Sequence, residues 1–234
     1  ALYTAWEKQL LGIKKTTDDR SPAVKRRVAI HELGHAWMAH MHSDVFDLQK
    51  VSIQASYSGT GGFTLFSEKE DLAEGGLYTR EMLLKRIMVA LGGKAAEEVF
   101  YGAENVSVGA TMDLQQANAL ASDMIEKYGM GTDLNVFYKG QSQTFHAKYS
   151  EYTQERIDRE AGDIVKEAYQ RTLNMIREYQ ANITRLVNSL LIRTTLDYDE
   201  WTQLVPANKE DGSRSLPLPT ETEAEDEIPC GCEL

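Results

Sequence analysis

From Ser21 to His42 the chain reads SPAVKRRVAIHELGHAWMAHMH, and no other stretch limits its fold so strongly. Serine followed by proline marks a helix start, because the hydroxyl can accept a free amide hydrogen and proline suits the first turn. The pattern predicts a helix reaching about His42. Inside it, His31 and His35 flank Glu32, although the whole chain has only five histidines. Residues four apart on a helix differ by about 40° in direction and about 6 Å along the axis. Two imidazoles so placed can reach one zinc ion from the same face. Glu32 lies about 100° from His31 and about 60° from His35, too far round to be an equal ligand. It is placed instead to hold a water beside the ion and take its proton. The plainer alternative is two satisfied histidines on a buried helix, and the helical context, with Val24, Val28 and Ala36 around the site, weighs against it.

A hydrolytic zinc site takes three protein ligands and keeps one position open. The extended pattern H-E-x-x-H-x-x-G-x-x-H fails here, since Met38 and Met41 occupy its glycine and last histidine positions. His42 sits eleven residues beyond His31, about 16 Å along the axis, and cannot share the ion. His40 points to the opposite face, and His146, in a loop, is an outside candidate. Asp113 shares a helical face with Ala117, Leu120, Ala121, Met124 and Tyr128. A carboxylate on an apolar stripe needs a partner, which a metal would supply. An acid in a helix's first turn, stabilised by the helix dipole, accounts for it as well. The rival is A-A-E-E at 95–98: Glu98 falls on the apolar stripe and Glu97 points about 100° away. A salt bridge explains Glu98 equally well.

The rest of the chain predicts a mainly α fold with a small β element. VSIQAS (51–56) alternates like a half-buried strand, YSGTGG (57–62) supplies a turn, and FTLF (63–66) returns as a second strand. Thr79 caps a long helix striped by Met82, Leu83, Ile87, Leu91 and Ala95. A third helix runs from Thr111 to Gly129, where glycine can take the left-handed position. Residues 130–149 read as a loop. Helices follow at about 152–179 and directly after it, the latter carrying Ile183, Leu186, Val187, Leu190 and Leu191. Residues 194–205 predict a short last helix opened by threonine, which completes a C-terminal helical bundle.

Charge and cysteine narrow the function classes. The formal net charge is −11, and the segment from Lys209 to Leu234 carries −6 of it. Neither that tail nor the body, at −5, offers the basic surface that nucleic acid requires. The proline-bearing acidic tail, 207–234, has too little apolar surface to offset ordering entropy and is predicted disordered. The two cysteines, Cys230 and Cys232, both lie in it, so no disulfide framework holds the body. As a metal site, C-G-C alone is incomplete. No run is long and apolar enough to span a membrane.

Several linked segments resemble the peptidase domain of FtsH-like, ATP-dependent zinc metalloproteases. They are VAIHELGHAWMAH, GTGGFTLF, LGGKAAEEVFYG, VSVGATMDLQQANALASDMIEKYGMG and ERIDREAGDIVKEAYQRTLNMI, and the likeness covers about residues 5–204. The resemblance implies that Asp113, in the G-A-[ST]-x-D segment, is the third zinc ligand beside His31 and His35, with Glu32 as general base. It implies a helical zinc-peptidase domain over 21–206, acting on polypeptide substrates. It further implies a homo- or hetero-hexamer, with an ATPase module and a membrane anchor upstream in the parent chain. Residues 1–20 resemble the junction from that ATPase module, which is absent here: no G-x-x-x-x-G-K-[ST] loop occurs, so the isolated fragment is expected to be soluble and not to bind ATP. Leu33 and Met112 depart from the usual alanine and asparagine. The alternative within this resemblance is a weakly active or inactive module whose task is ring assembly.

Overall fold

The structure is a computed structural model that describes residues 15, 17–57, 61–69, 76–135 and 150–205. Ser21 caps α1 (Pro22–Met41) by accepting from the Val24 amide. After a turn at His42 the chain forms β1 (Phe46–Ser52), which pairs antiparallel with β2 (Phe63–Glu68). Thr79 caps α2 (Arg80–Tyr101) through the Met82 amide. Two single 3-10 turns, Ala103–Asn105 and Val108–Ala110, lead to α3 (Thr111–Glu126). Then come α4 (Glu151–Glu178), α5 (Gln180–Arg193), β3 (Thr195–Asp197) and α6 (Tyr198–Leu204). The fold is mainly α, with a three-stranded antiparallel sheet in the order β2-β1-β3. Among the described residues no helix is long and apolar enough to cross a membrane.

Two predicted elements need correction. The first strand begins at Phe46 rather than Val51 and ends at Ser52. A register shift between Leu48 and Lys50 disturbs its period of two, so Phe46 and Leu48 point inward and Val51 and Ser52 are then buried in succession. The predicted helix over 194–205 is a strand followed by a helix. Thr194 adopts a left-handed φ of 68°, and Thr195–Asp197 pairs with Lys50–Ser52 of β1. The cap of α6 is therefore Asp197, which shares a reciprocal capping box with Glu200. Most of the predicted 130–149 loop, with His146, and all of the predicted acidic tail beyond Val205 lie outside the described residues.

α1 is the central element: apart from His31, every residue from Ala29 to Ala39 is buried. α2 lies along one side of it and itself packs on α3 and α4, while the sheet and α5 cover other faces. Trp37 of α1 meets Tyr179 and Trp201 with ring centroids 5.4 and 6.3 Å away. α4 buries Ile157, Ala161, Ile164, Ala168, Leu173 and Ile176, the three-to-four spacing of a helix with one face on the core. α1 and α2 touch backbone to backbone. A Cβ on Gly34 would stand 2.3 Å from the Gly92 carbonyl oxygen, and one on Gly92 would stand 2.6 Å from the Gly34 carbonyl oxygen.

This crossing sets the sign of a substitution. In a free helix, Gly→Ala would stabilise by about 1 kcal/mol. Here Gly34→Ala forces the helices apart and is expected to destabilise by about 1–3 kcal/mol, read from urea denaturation. His42, buried at the end of α1, makes a second prediction. Burial and the Lys85 charge hold its pKa down to about 4, against Asp44 and Glu81. An unfolded histidine titrates near 6.5, so between about 6.5 and about 4 the unfolded chain binds the extra proton. Stability is therefore expected to fall as pH drops through that window, and His42→Gln is expected to flatten the fall in denaturation series.

Candidate metal centre

His31 and His35 emerge from the buried middle of α1 with their rings 4.9 Å apart. The Nδ1 of His35 lies 2.8 Å from the Val89 carbonyl oxygen of α2, which can only accept, so that nitrogen carries the proton. The Nδ1 of His31 donates to Glu97 Oε1 at 3.0 Å. With those hydrogens on Nδ1, both Nε2 atoms, 3.2 Å apart, can offer a lone pair to a common ion. Asp113, in the first turn of α3, brings Oδ2 to 3.3 Å from His31 Nε2 and 3.5 Å from His35 Nε2. Three electron-pair donors so close together repel unless a proton or a metal ion lies among them. A tetrahedral ion with bonds of 2.0–2.1 Å has ligand–ligand edges of about 3.3–3.4 Å, close to this triangle. Gly93 leaves the necessary room: a Cβ there would come within 2.5 Å of His35 Nε2 and 2.6 Å of His31 Nε2. The donor set and the space both fit a divalent metal.

The surrounding charges favour a cation. Burial disfavours the His31 imidazolium, but hydrogen bonds to Asp113 and Glu97 outweigh it and push the metal-free pKa up to about 10. Burial also works against ionising Asp113, and its bonds to His31 and His35 hold its pKa well below the usual carboxylate range all the same.

Glu97, on α2, ties α1 to the loop that leads into α3. Its side chain is 2% exposed, a costly place for a charge unless donors surround it. They do: Oε2 accepts from Arg27 Nη1 at 2.9 Å and the Ser107 amide at 3.0 Å, while Oε1 accepts from Ser107 Oγ at 2.9 Å as well as from His31. Burial raises its pKa, and these donors together bring it down to about 2. Arg27, one turn before His31, also donates to the Asn105 carbonyl at 2.7 Å and lies over the Tyr101 ring. The loop that delivers Asp113 is thus held by the same carboxylate that orients His31.

Glu32 faces the cleft beside the histidines. Thr64 of β2 places its hydroxyl 2.9 Å from Glu32 Oε2 and 2.8 Å from the Glu32 carbonyl oxygen, sharing one proton between them. Burial raises the Glu32 pKa; the charges of His35 and His31 and the Thr64 bond oppose this. The cleft, about 1110 Å³, runs between β2 on one side and α2 and α3 on the other, with Phe66, Ile87, Ala90 and Leu120 among its apolar walls. β2 is the outer strand of the sheet, so one of its edges carries no neighbouring strand among the described residues. Phe63 is buried, and Phe66 packs edge-on against Phe46 at 5.6 Å.

The predicted residues His31, His35, Glu32 and Asp113 thus meet at one place. Glu98 does not: its carboxylate accepts from the Tyr169 hydroxyl at 2.5 Å, away from the histidines. His40 and His42 are also remote from the cleft, and the side chain of Met112 is largely exposed at its rim. Sequence reasoning missed Glu97 because α2 is buried nearly all round, so its apolar stripe does not single out one face. The spacing of Ala90, Gly93 and Glu97 marks the face toward α1. Thr64 and Ser107 carry no sequence signal of this kind.

A helix with two histidines and an intervening glutamate, met by a carboxylate from a second helix, is the donor arrangement of a candidate metal centre. Residues 19–204 match the family model of Peptidase family M41, and the chain belongs to that family. It is 33% identical over 213 residues to the ATP-dependent zinc metalloprotease FtsH 3 of Synechocystis sp., covering 87% of this chain and 34% of that protein. It is 35% identical over 231 residues to the ATP-dependent zinc metalloprotease FtsH of Synechococcus sp., covering 94% and 35%. With the chloroplastic ATP-dependent zinc metalloprotease FTSH 1 of Arabidopsis thaliana it shares 32% over 209 residues, covering 86% and 29%. The chain spans about a third of the length of these relatives. Removing the Glu97 carboxylate, as in Glu97→Ala, is expected to weaken divalent metal binding about 10- to 100-fold, measured by competition with a chromophoric chelator.

Proposed function

We propose that this chain is a zinc-dependent endopeptidase unit, with residues 21–206 as the peptidase domain. His31, His35 and Asp113 would hold the ion, and Glu32 would be the general base. The observation that carries this is the triangle of three donor atoms with Glu32 beside it on an open cleft. Zinc supplies Lewis acidity there, acidifying water and polarising a carbonyl. Glu32 takes the proton of the attacking water as its oxygen bonds to the scissile carbonyl carbon. As the carbon–nitrogen bond breaks, Glu32 returns that proton to the leaving amine. Burial raises its proton affinity, which helps it keep the proton between the two steps. Thr64 holds the carboxylate in place without ion-pairing it. The open edge of β2 along the cleft suits an extended polypeptide added as a further strand, held by backbone hydrogen bonds that are indifferent to sequence.

The relatives' names support a wider proposal for the parent protein. It would be an ATP-dependent, membrane-anchored protease whose ATPase module precedes this domain, assembled as a hexamer and acting on unfolded or membrane polypeptides.

Glu32→Gln is expected to lower cleavage of unfolded casein at least 100-fold while zinc stays bound. Full activity in that variant rejects the mechanism. Asp113→Ala is expected to lose most of its zinc in metal analysis, and undiminished zinc there rejects the ligand set.

A further inference from the structure

The segment entering α1 reaches back to the strand that faces the cleft, and one side chain makes the connection. Arg20 forks over the Asp18 carboxylate, with Nε 2.7 Å from Oδ1 and Nη2 2.8 Å from Oδ2. The same guanidinium donates to two backbone carbonyls of the hairpin: Nη1 to Gly61 at 2.7 Å and Nη2 to Ile53 at 2.5 Å. Asp18 is held in turn by Lys25 of α1, whose ammonium donates to the Asp18 carbonyl at 3.0 Å and lies 3.6 Å from its carboxylate.

Position gives these contacts their meaning. The β1–β2 ladder ends at the pair Ser52 and Phe63. One step further, the strands no longer bond to each other. The Ile53 amide turns to the Thr194 carbonyl, at 3.0 Å. The Ile53 and Gly61 carbonyls both turn to Arg20, so the guanidinium stands where the next rung would be. Half-buried carbonyls deprived of a donor are costly, and a planar fork can serve two acceptors and a carboxylate together. Lysine has the charge but not the fork. From Gly61 the chain needs only three residues to reach Thr64, which bonds Glu32. The space between is tight: a Cβ on Gly62 would stand 2.9 Å from Glu32 Cγ and 2.7 Å from the Ser52 carbonyl oxygen.

We infer that Arg20 is a positioning residue for the substrate-binding edge: with Asp18 it locks the start of β2, and thereby Thr64, against the general base. The inference rests on the peptidase proposal above for its functional meaning, but the contact itself is independent of the metal. Arg20 touches neither the ligands nor Glu32.

The test uses the full 234-residue chain. Arg20→Lys and Arg20→Ala are compared with the unchanged protein by zinc content, by amide hydrogen exchange across 61–66, and by kcat and KM for an unstructured fluorogenic peptide. Zinc content is expected to stay the same, because the ligands sit on α1 and α3. Exchange across 61–66 is expected to speed up at least tenfold while the α1 amides hold. The value of kcat/KM is expected to fall about tenfold, mainly through KM, and guanidinium ion at millimolar concentration is expected to restore part of the loss in Arg20→Ala. If Arg20→Ala does not fold, Arg20→Lys carries the test. Unchanged exchange and unchanged kcat/KM in Arg20→Lys overturn the inference, as does a loss that follows zinc release. An active Glu32→Gln variant would reject the peptidase reading instead, while faster exchange in the Arg20 variants would still establish the clamp.

Discussion

The close passage of α1 over α2 is the constraint on which the site depends. Gly34 and Gly92 allow the two backbones to touch, and this contact sets the separation of everything arranged along them. With the helices so near, the Val89 carbonyl reaches His35 and the Glu97 carboxylate reaches His31. Gly93, on the same face of α2, then leaves the imidazole nitrogens room for a ligand in common. A side chain at any of these three glycines would separate the helices or crowd the imidazole nitrogens. Packing and chemistry are therefore set by one contact.

Electrostatics complete what packing begins. The site collects Glu32, Glu97 and Asp113 around two imidazoles, a group of charges that would be unfavourable if left unbalanced. Each acid has a different solution. Glu97 is surrounded by four donors and stays ionised, so it acts as a fixed anion that orients His31 and the loop before α3. Asp113 faces the imidazole nitrogens, where an imidazolium or a metal ion balances it. Glu32 has one hydroxyl and much burial, and its proton affinity rises. Three carboxylates within one cleft thus acquire three roles from their surroundings alone.

The small sheet matters less for stability than for placement. The hairpin is tied to α1 by Thr64 on Glu32, and to the segment before α1 by Arg20 on Ile53 and Gly61. These bonds place β2 along the same cleft that holds His31, His35 and Asp113. A strand laid on the outer edge of β2 would pass beside Glu32, the proposed general base, because Thr64 of β2 bonds its carboxylate.

Local chemistry in the sequence determined the helices, the Ser21 and Thr79 caps and the histidine pair with its glutamate. Capping residues, the three-to-four apolar period and the one-turn spacing of His31 and His35 act within a few residues of each other, so they are written contiguously. The strand β3, the bulge in β1 and the Asp197 cap were not legible, because each depends on a partner strand far away in the chain. The periodicity of α3 left Asp113 level with its rivals, and only the family resemblance separated them. Tertiary structure decided which carboxylates face the histidines. It brought Asp113 from α3 and Glu97 from α2 to opposite nitrogens of His31 and turned Glu98 away toward Tyr169. The physical reason is the rotation of α2 about its axis. A helix buried on nearly every side shows no polar face from which that rotation can be read, and only its contact with α1 fixes it.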